Sequence, residues 1–229
     1  MRFYRYFLDL LEELTTGMAQ LIVVNSGFTQ KVFQNNFPLI SAPSKKEEDR
    51  SGFITKHCPK ILYPPINLKV FVKSIGFKQT INDLLGREVK GNILTSLNRY
   101  ERKKNIPLAL KAFADYVKKS ANQDDLLVVA GGWDPRVIEN VEHENELRAL
   151  AKKLDISERV VFLKSISNDA RLLLLENTKV LCYTPENEHF GIVPVEAMHM
   201  GCIVMACNSG GPLESVANDV TGFLQPPKE

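Results

Sequence analysis

From Asn92 to the end of the chain, short apolar runs alternate with longer amphipathic segments, and this alternation constrains the fold more than any other feature. The predicted strands are 92–98, 125–132, 159–163, 179–184, 202–207 and 221–224. The predicted helices are 106–119, 138–154, 169–177 and 193–200. Short apolar strands separated by helices indicate βαβ units and a parallel sheet that is covered on both faces. We therefore predict an α/β fold with a Rossmann-like parallel sheet.

The first part of the chain is less regular. A strand is predicted over 20–26, and Ser26 at its end suits the N-cap of a helix. A second predicted strand, 60–67, is stopped by two prolines. Residues 38–58 are largely polar and charged without periodicity, which predicts a flexible insertion. We divide the chain into a remnant of one α/β unit, a linker and a nearly complete second unit, at 1–65, 66–89 and 90–229.

Near the N-terminus, apolar residues recur at helical spacing. They are Phe3, Tyr6, Phe7, Leu10, Leu11 and Leu14. Such a stripe is more often a face packed against its own domain than a membrane-surface helix, and both interpretations stay open. Acidic residues within the stretch are unlike a signal peptide, and no apolar run approaches the roughly 20 residues that span a bilayer.

Composition limits the function classes. The 29 basic and 27 acidic residues leave a net charge of +2, which argues against a dedicated nucleic-acid binder but allows a local basic pocket for phosphates. The four cysteines form no C-x-x-C pair, so neither a zinc site nor a thioredoxin-like motif is indicated. We expect reduced thiols.

Ligands of an open parallel sheet bind beyond the carboxyl ends of its strands, and three polar stretches fall at such ends. The first, NRYERKKN at 98–105, contains Arg99 and Lys104 just before a predicted helix. A guanidinium, an ammonium and helix N-terminal amides all favour a phosphate. A solvated charge run is the alternative interpretation.

The second stretch, NEHFGIVPVE at 187–196, places Glu188 in a loop and Glu196 near the start of the next helix. The carboxylates could form an acid–base pair or accept hydrogen bonds from sugar hydroxyls, including those of a ribose. Gly191 allows a ligand to approach the backbone closely, and His189 borders the loop. Alternatively, Glu196 only favours the helix N-terminus and Glu188 is simply exposed.

The third stretch, NSGGPLES at 208–215, has Gly210 and Gly211 in a turn into a short helix, whose amides could line the same cleft. A plain turn is the alternative. The sequence contains no D-x-D pair, no G-x-x-x-x-G-K-[ST] loop, no G-x-S-x-G nucleophile motif and no G-x-G-x-x-G fingerprint.

Together these stretches resemble the retaining family 4 glycosyltransferases of the GT-B fold. The resemblance is carried by the E-x7-E pattern of Glu188 and Glu196 with FG inside it, by Arg99 and Lys104, and by the GG-P-x-E turn at 210–214. The stretches ILYPPIN, SLNRYERKKN and YTPENEHFGIVPVEAM are similar to mannosyltransferases of dolichol-linked oligosaccharide assembly. The resemblance covers nearly the whole chain outside the predicted insertion.

The resemblance implies that the 90–229 region binds GDP-mannose without a metal or other cofactor. Arg99 and Lys104 would neutralise the diphosphate, Glu188 would contact the donor sugar, and Glu196 would contact the ribose. The implied catalytic residues are Arg99, Lys104 and Glu188. The implied donor-binding residues further include His189, Phe190, Gly191, Ile192, Glu196, Gly210 and Gly211.

The implied reaction transfers mannose, with retention of configuration, to a dolichol-diphosphate-linked mannosyl-chitobiose acceptor in alpha-1,3 and alpha-1,6 linkages. This step belongs to N-glycan precursor synthesis, and the resemblance places it at the cytosolic face of the endoplasmic reticulum membrane. No nucleic-acid partner is implied.

The chain departs from the family pattern in three respects. By the resemblance, most of the acceptor-binding N-terminal half is missing and the helices that close the fold are cut off after Glu229. Asn98 and Asn105 stand where glycines are common in the broader family, whereas the narrower match carries asparagines there. Two alternatives therefore stay open: a catalytically incomplete nucleotide-sugar-binding fragment, and a family 4 glycosyltransferase that uses another donor, such as a UDP-sugar.

Overall fold

The computed structural model describes residues 2–42 and 56–227, and it divides into two compact units, Met1–Pro65 and Ile66–Glu229. Most of the insertion predicted at 38–58 lies outside the described residues. Its described ends are joined by a parallel bridge between Ser41 and His57.

The first unit contains two helices and one pair of short strands. These are α1 (Arg2–Thr16), β1 (Val23–Val24), α2 (Gly27–Asn36) and β2 (Lys60–Ile61). The strands pair in parallel but are much shorter than the predicted 20–26 and 60–67. Pro64 and Pro65 explain part of the difference for β2, because proline has no N–H to donate to a neighbouring strand. Ser26 caps α2 as predicted, since its hydroxyl accepts a 2.9 Å hydrogen bond from the Thr29 N–H.

The sequence favoured packing of the apolar face of α1 against its own domain, but described residues of that face are exposed. Tyr6, Phe7 and Leu11 are 69%, 63% and 49% exposed. The helix is held near its C-terminal end instead, where the buried carboxylate of Glu13 accepts a 2.5 Å hydrogen bond from the Leu39 N–H. A stripe at helical spacing predicted the helix correctly but not the burial of its apolar face.

The second unit is a parallel α/β sheet. Its strands are β3 (Ile93–Leu97), β4 (Leu126–Gly131), β5 (Val160–Lys164), β6 (Thr178–Tyr183), β7 (Ile203–Cys207) and β8 (Gly222–Gln225). Its helices are α3 (Ile81–Leu85), α4 (Ile106–Lys119), α5 (Ile138–Lys153), α6 (Asn168–Asn177), α7 (Ile192–His199) and α8 (Pro212–Ser215). All neighbouring strands are parallel, in the order β5-β4-β3-β6-β7-β8. The predicted fold class is confirmed.

Helices pack on both faces of this sheet, and β4 shows how alternate residues serve them. Leu127 and Val129 belong to the core formed with α4 and α5, whereas Val128 and Ala130 belong to the core formed with α3, α6 and α7. All four side chains are completely buried. A strand that is apolar on both faces is the pattern expected inside a parallel sheet.

The segment predicted as a linker, 66–89, is instead part of the second unit. It contains a 3-10 helix at Leu68–Phe71 and the helix α3, which Thr80 caps. Leu85, at the end of α3, is 7% exposed and packs into the core beside α6. The segment has no long apolar run, so only tertiary packing reveals that it is folded.

Candidate functional site

A cavity of about 520 Å³ that contains charged lining residues lies at the carboxyl ends of β3, β4, β5 and β6. Because the strands are parallel, the residues that follow them converge at one edge of the sheet. Arg99, Gly132 and Ser165 each follow one of these strands, and the start of α7 forms the remaining side. This is the edge at which the sequence predicted a ligand.

Lys104 and Glu188 meet at this cavity. Lys104 ends a 3-10 turn after β3 and is 8% exposed, and its Nζ lies 2.5 Å from Glu188 Oε1. The next residue, Asn105, has a φ of +48°, a conformation that favours glycine and that asparagine tolerates. Asparagine can therefore replace the family's glycine here and still turn the chain into α4. A buried ammonium is stable only with such a partner.

Glu188 has a second neighbour, because the hydroxyl of Tyr183 lies close to its carboxylate and both residues line the cavity. Tyr183 is the last residue of β6 and is 4% exposed. Burial raises the pKa of the Tyr183 hydroxyl, and the negative charge of Glu188 raises it further. The phenol therefore stays protonated at neutral pH and can act as a hydrogen-bond donor.

Glu196 is also paired, with a residue that the sequence did not single out. Arg171 on α6 places its Nη1 2.5 Å from Glu196 Oε2, and both side chains are largely buried. At the rim, Arg99 lies 2.7 Å from Glu101 and stays 61% exposed. Each of these three cations thus faces a carboxylate, so an anionic ligand must compete with the carboxylates for them.

Of the predicted donor-binding residues, Arg99, Lys104, Glu188, Gly191 and Ile192 line the cavity. The other five do not line it directly: His189, Phe190, Glu196, Gly210 and Gly211. Glu196 is connected to the cavity through its ion pair with a lining arginine.

The glycine turn supports the Glu188 loop from below. The N–H of Gly211 donates a 2.7 Å hydrogen bond to the Glu188 carbonyl. A Cβ at Gly211 would collide with the buried backbone of Phe190, and a Cβ at Gly210 would lie 2.5 Å from the Glu188 oxygen. His189 is exposed at the loop surface. These residues shape the site without forming its wall.

Sequence reasoning missed Arg171, Tyr183, Ser165 and Ile166, which all line the cavity. The strand-end rule was applied after β3, β6 and β7 but not after β5, where it would have found Ser165 and Ile166. Arg171 precedes four consecutive leucines, and nothing in that pattern marks it as a site residue.

A second cavity, of about 560 Å³, lies between α4 and strands β6 to β8. The linings of both cavities are mainly apolar in area, and among the described residues only Tyr183 lines both cavities. Cys182 and Met205 face the second cavity from neighbouring strands. Cys182, Cys202 and Cys207 of the second unit form no disulfide. The cation–carboxylate pairs make the first cavity the better candidate for a polar ligand.

A Rossmann-like sheet with a cavity at its strand ends is the architecture of nucleotide-binding α/β domains. Solved structures with this fold include sucrose-phosphate synthase from Thermosynechococcus elongatus, 21% identical with a TM-score of 0.72. They also include HepE of Anabaena, crystallised with UDP and glucose, 23% identical with a TM-score of 0.71. The alignments cover 96% and 92% of this chain and 49% and 50% of those chains. The second unit therefore has a glycosyltransferase fold of the GT-B type.

The sequence identifies the family. Residues 77–229 match the family of glycosyl transferases group 1, and the chain belongs to that family. It is 44% identical to the human alpha-1,3/1,6-mannosyltransferase ALG2 over 99% of its length, and 35% identical to the enzyme of the same name from Saccharomyces cerevisiae over 96%. These alignments cover 51% and 45% of the relatives, so the chain spans about half the length of the curated relatives it matches.

Proposed function

We propose that this chain supplies the donor-binding half of a mannosyltransferase that uses GDP-mannose. The acceptor is a dolichol-diphosphate-linked mannosyl-chitobiose, and mannose is added with retention in alpha-1,3 and alpha-1,6 linkages. The proposal rests on the similarity to the alpha-1,3/1,6-mannosyltransferases together with the geometry of the cavity.

The observation that carries the proposal is the 2.5 Å contact between Lys104 Nζ and Glu188 Oε1. In a nucleotide sugar, the β-phosphate and the anomeric carbon of the sugar share one oxygen. Groups that bind the phosphate and the sugar must therefore lie side by side. An ammonium suits the phosphate and a carboxylate accepts hydrogen bonds from sugar hydroxyls, so this pair matches the junction of the donor.

Transfer of the sugar leaves GDP with added negative charge on its β-phosphate. Cationic side chains that are already fixed in place stabilise such charge as it develops. Lys104 is fixed by burial and Arg99 is largely exposed at the rim, so we assign the first to the β-phosphate and the second to closing over the diphosphate. The first-turn amides of α7, which has no side-chain cap, supply further donors.

Glu196 is proposed to bind the ribose, and Arg171 holds its carboxylate in place. Arg171 also lines the cavity and adds a third cation near the diphosphate. We propose that these side chains serve in place of a divalent ion. Among the described residues, no three His, Cys, Asp or Glu side chains cluster in a way that could hold a metal.

The lipid-linked acceptor places the proposed reaction at a membrane, on the cytosolic face of the endoplasmic reticulum. Within residues 2–42 and 56–227, no helix is both long and apolar enough to cross a bilayer. Fractionation of cells that express the tagged chain tests this location, and recovery of the chain away from endoplasmic reticulum membranes would contradict it.

The direct test is a transfer assay with GDP-mannose and a dolichol-linked mannosyl-chitobiose acceptor. It compares this chain with a version extended by the N-terminal half of a full-length relative. We expect the extended version to transfer mannose and the Glu188→Gln variant of it to lose most activity. Transfer that is unaffected by Glu188→Gln would refute the proposed site.

The lining of the cavity favours one second candidate, a module that binds the donor but does not turn it over, because every residue that lines it belongs to the second unit. Glycosyl transfer needs a second wall that orients the acceptor and excludes water. Donor binding without mannosyl transfer to the lipid-linked acceptor would support this candidate, and transfer by the chain alone would rule it out.

A further inference from the structure

We infer that Tyr183 and Thr184, at the end of β6, are positioning residues. They hold Lys104 and Glu188 in a fixed position relative to each other. The inference rests on the proposed function and assigns a role to residues that contact the pair but carry no charge. Tyr183 positions the carboxylate, and Thr184 positions the turn that carries the ammonium.

The contacts of Tyr183 are directed at Glu188 and at the start of α7. Its hydroxyl lies close to the Glu188 carboxylate at the wall of the same cavity, and its ring lies beneath Gly191. A Cβ at Gly191 would come within 3.0 Å of the Tyr183 hydroxyl oxygen, and the φ of +73° at this glycine is unfavourable for other residues. The tyrosine therefore fills the space that the glycine leaves, and its hydroxyl is fixed relative to the loop.

The contact of Thr184 is directed at Lys104. Its buried hydroxyl donates a 2.7 Å hydrogen bond to the Lys104 carbonyl, across 80 residues of sequence. The backbone of Thr184 is itself fixed, since its carbonyl accepts a 3.2 Å hydrogen bond from Cys207 Sγ on the neighbouring strand. The end of β6 therefore contacts both members of the pair, the backbone of Lys104 through Thr184 and the carboxylate of Glu188 through Tyr183.

The different contacts of Tyr183 and Thr184 predict different effects on binding of a nucleotide sugar and of a free nucleotide. Glu188 is assigned to the sugar, so loss of the Tyr183 hydroxyl should weaken binding of a nucleotide sugar more than binding of the free nucleotide. Lys104 is assigned to the diphosphate, which both ligands contain, so loss of the Thr184 hydroxyl should weaken both equally. A general loss of packing would not separate the two ligands in this way.

The experiment is isothermal titration of the full chain with GDP-mannose and with GDP. We expect Tyr183→Phe to weaken GDP-mannose binding about three- to tenfold, the range for one hydrogen bond, and to leave GDP binding within about twofold. Thr184→Val, of nearly the same shape, should weaken both ligands to the same extent. Tyr116→Phe is the matched control, because it removes a 2.5 Å hydrogen bond from a tyrosine to Asp125 outside the cavity. It should change neither affinity.

The outcomes separate the inference from the proposed function. If the wild-type chain binds neither ligand, the proposed function and the inference both fail. If the wild-type chain binds both ligands but Tyr183→Phe weakens neither, or weakens both equally, the assignment of Tyr183 is wrong while the donor site stands. Should Tyr183→Phe fail to fold, as judged by its melting temperature, unchanged binding by Thr184→Val overturns the inference.

Discussion

Replacement of Lys104 by methionine isolates the charge of the buried ammonium, because methionine keeps most of the side chain's apolar length. Lys104 is 8% exposed, and the side chain of its partner Glu188 is 25% exposed. The substitution leaves this carboxylate without its cation in a largely buried place. Loss of one partner of a fully buried pair costs about 3–5 kcal/mol, and a partly solvated group costs about 1–3 kcal/mol. The observed exposure favours the lower range.

A double-mutant cycle measures this magnitude. Glu188→Gln removes the unpaired charge, so the double variant should recover about 1–2 kcal/mol relative to the sum of the two single effects. Urea unfolding can be followed by the fluorescence of Trp133, the single tryptophan of the chain, which lies in the second unit. A coupling free energy of zero between the two substitutions would show that the pair contributes nothing to stability.

The double variant should regain stability but not GDP affinity. Lys104→Met and the double variant should both lose about one to two orders of magnitude in GDP affinity, because a charge-assisted hydrogen bond to phosphate contributes about 1.5–3 kcal/mol. Lys111→Met, on α4 at the second cavity, is the control and should bind GDP normally. If Lys104→Met binds GDP as the wild-type chain does, the assignment of Lys104 to the diphosphate is refuted.

Three further predictions concern the support of the site and its chemistry. Gly211→Ala should lower the free energy of unfolding by at least about 1–3 kcal/mol in urea, because its Cβ collides with the Phe190 backbone. Gly132→Ala meets only a flexible arginine side chain at 3.3 Å and should cost less; equal losses would contradict the steric argument. Burial raises the pKa of Cys202 and Cys207 from 9.0 to about 11, so stability is complete below pH 9 and should fall as the pH rises to 11, and a flat melting temperature would contradict this. EDTA should leave GDP-mannose binding unchanged, and its loss would refute metal-free binding.

The sheet of the second unit could be predicted because its signal is local. Each strand is a short apolar run, each helix has its own periodicity, and all six strands lie within one or two residues of the predicted bounds. The carboxyl ends of parallel strands must converge, so Arg99, Lys104 and Glu188 could be placed at one edge from the sequence alone. Their proposed roles as phosphate and sugar ligands come from the family resemblance.

What the sequence could not predict depends on contacts between distant segments. The Arg171–Glu196 pair joins residues 25 positions apart, and Arg171 lies in a helix whose pattern suggests only core packing. Leu85 is buried although its segment has the composition of a linker. In α1, Tyr6, Phe7 and Leu11 are exposed although such apolar stripes are usually packed. Periodicity specifies which face of an element is apolar but not what covers that face.

The central claim is that the cavity at the strand ends of the second unit binds GDP-mannose, and a calorimetric titration with competing nucleotides tests it most directly. We predict saturable binding of GDP-mannose, which GDP displaces and UDP does not. Glu196→Ala should weaken this binding at least tenfold, or by about 1.4 kcal/mol or more, because the ribose contact is lost. Displacement by UDP as readily as by GDP would point to another donor. Absence of binding to the wild-type chain, or unchanged binding by Glu196→Ala, would contradict the account.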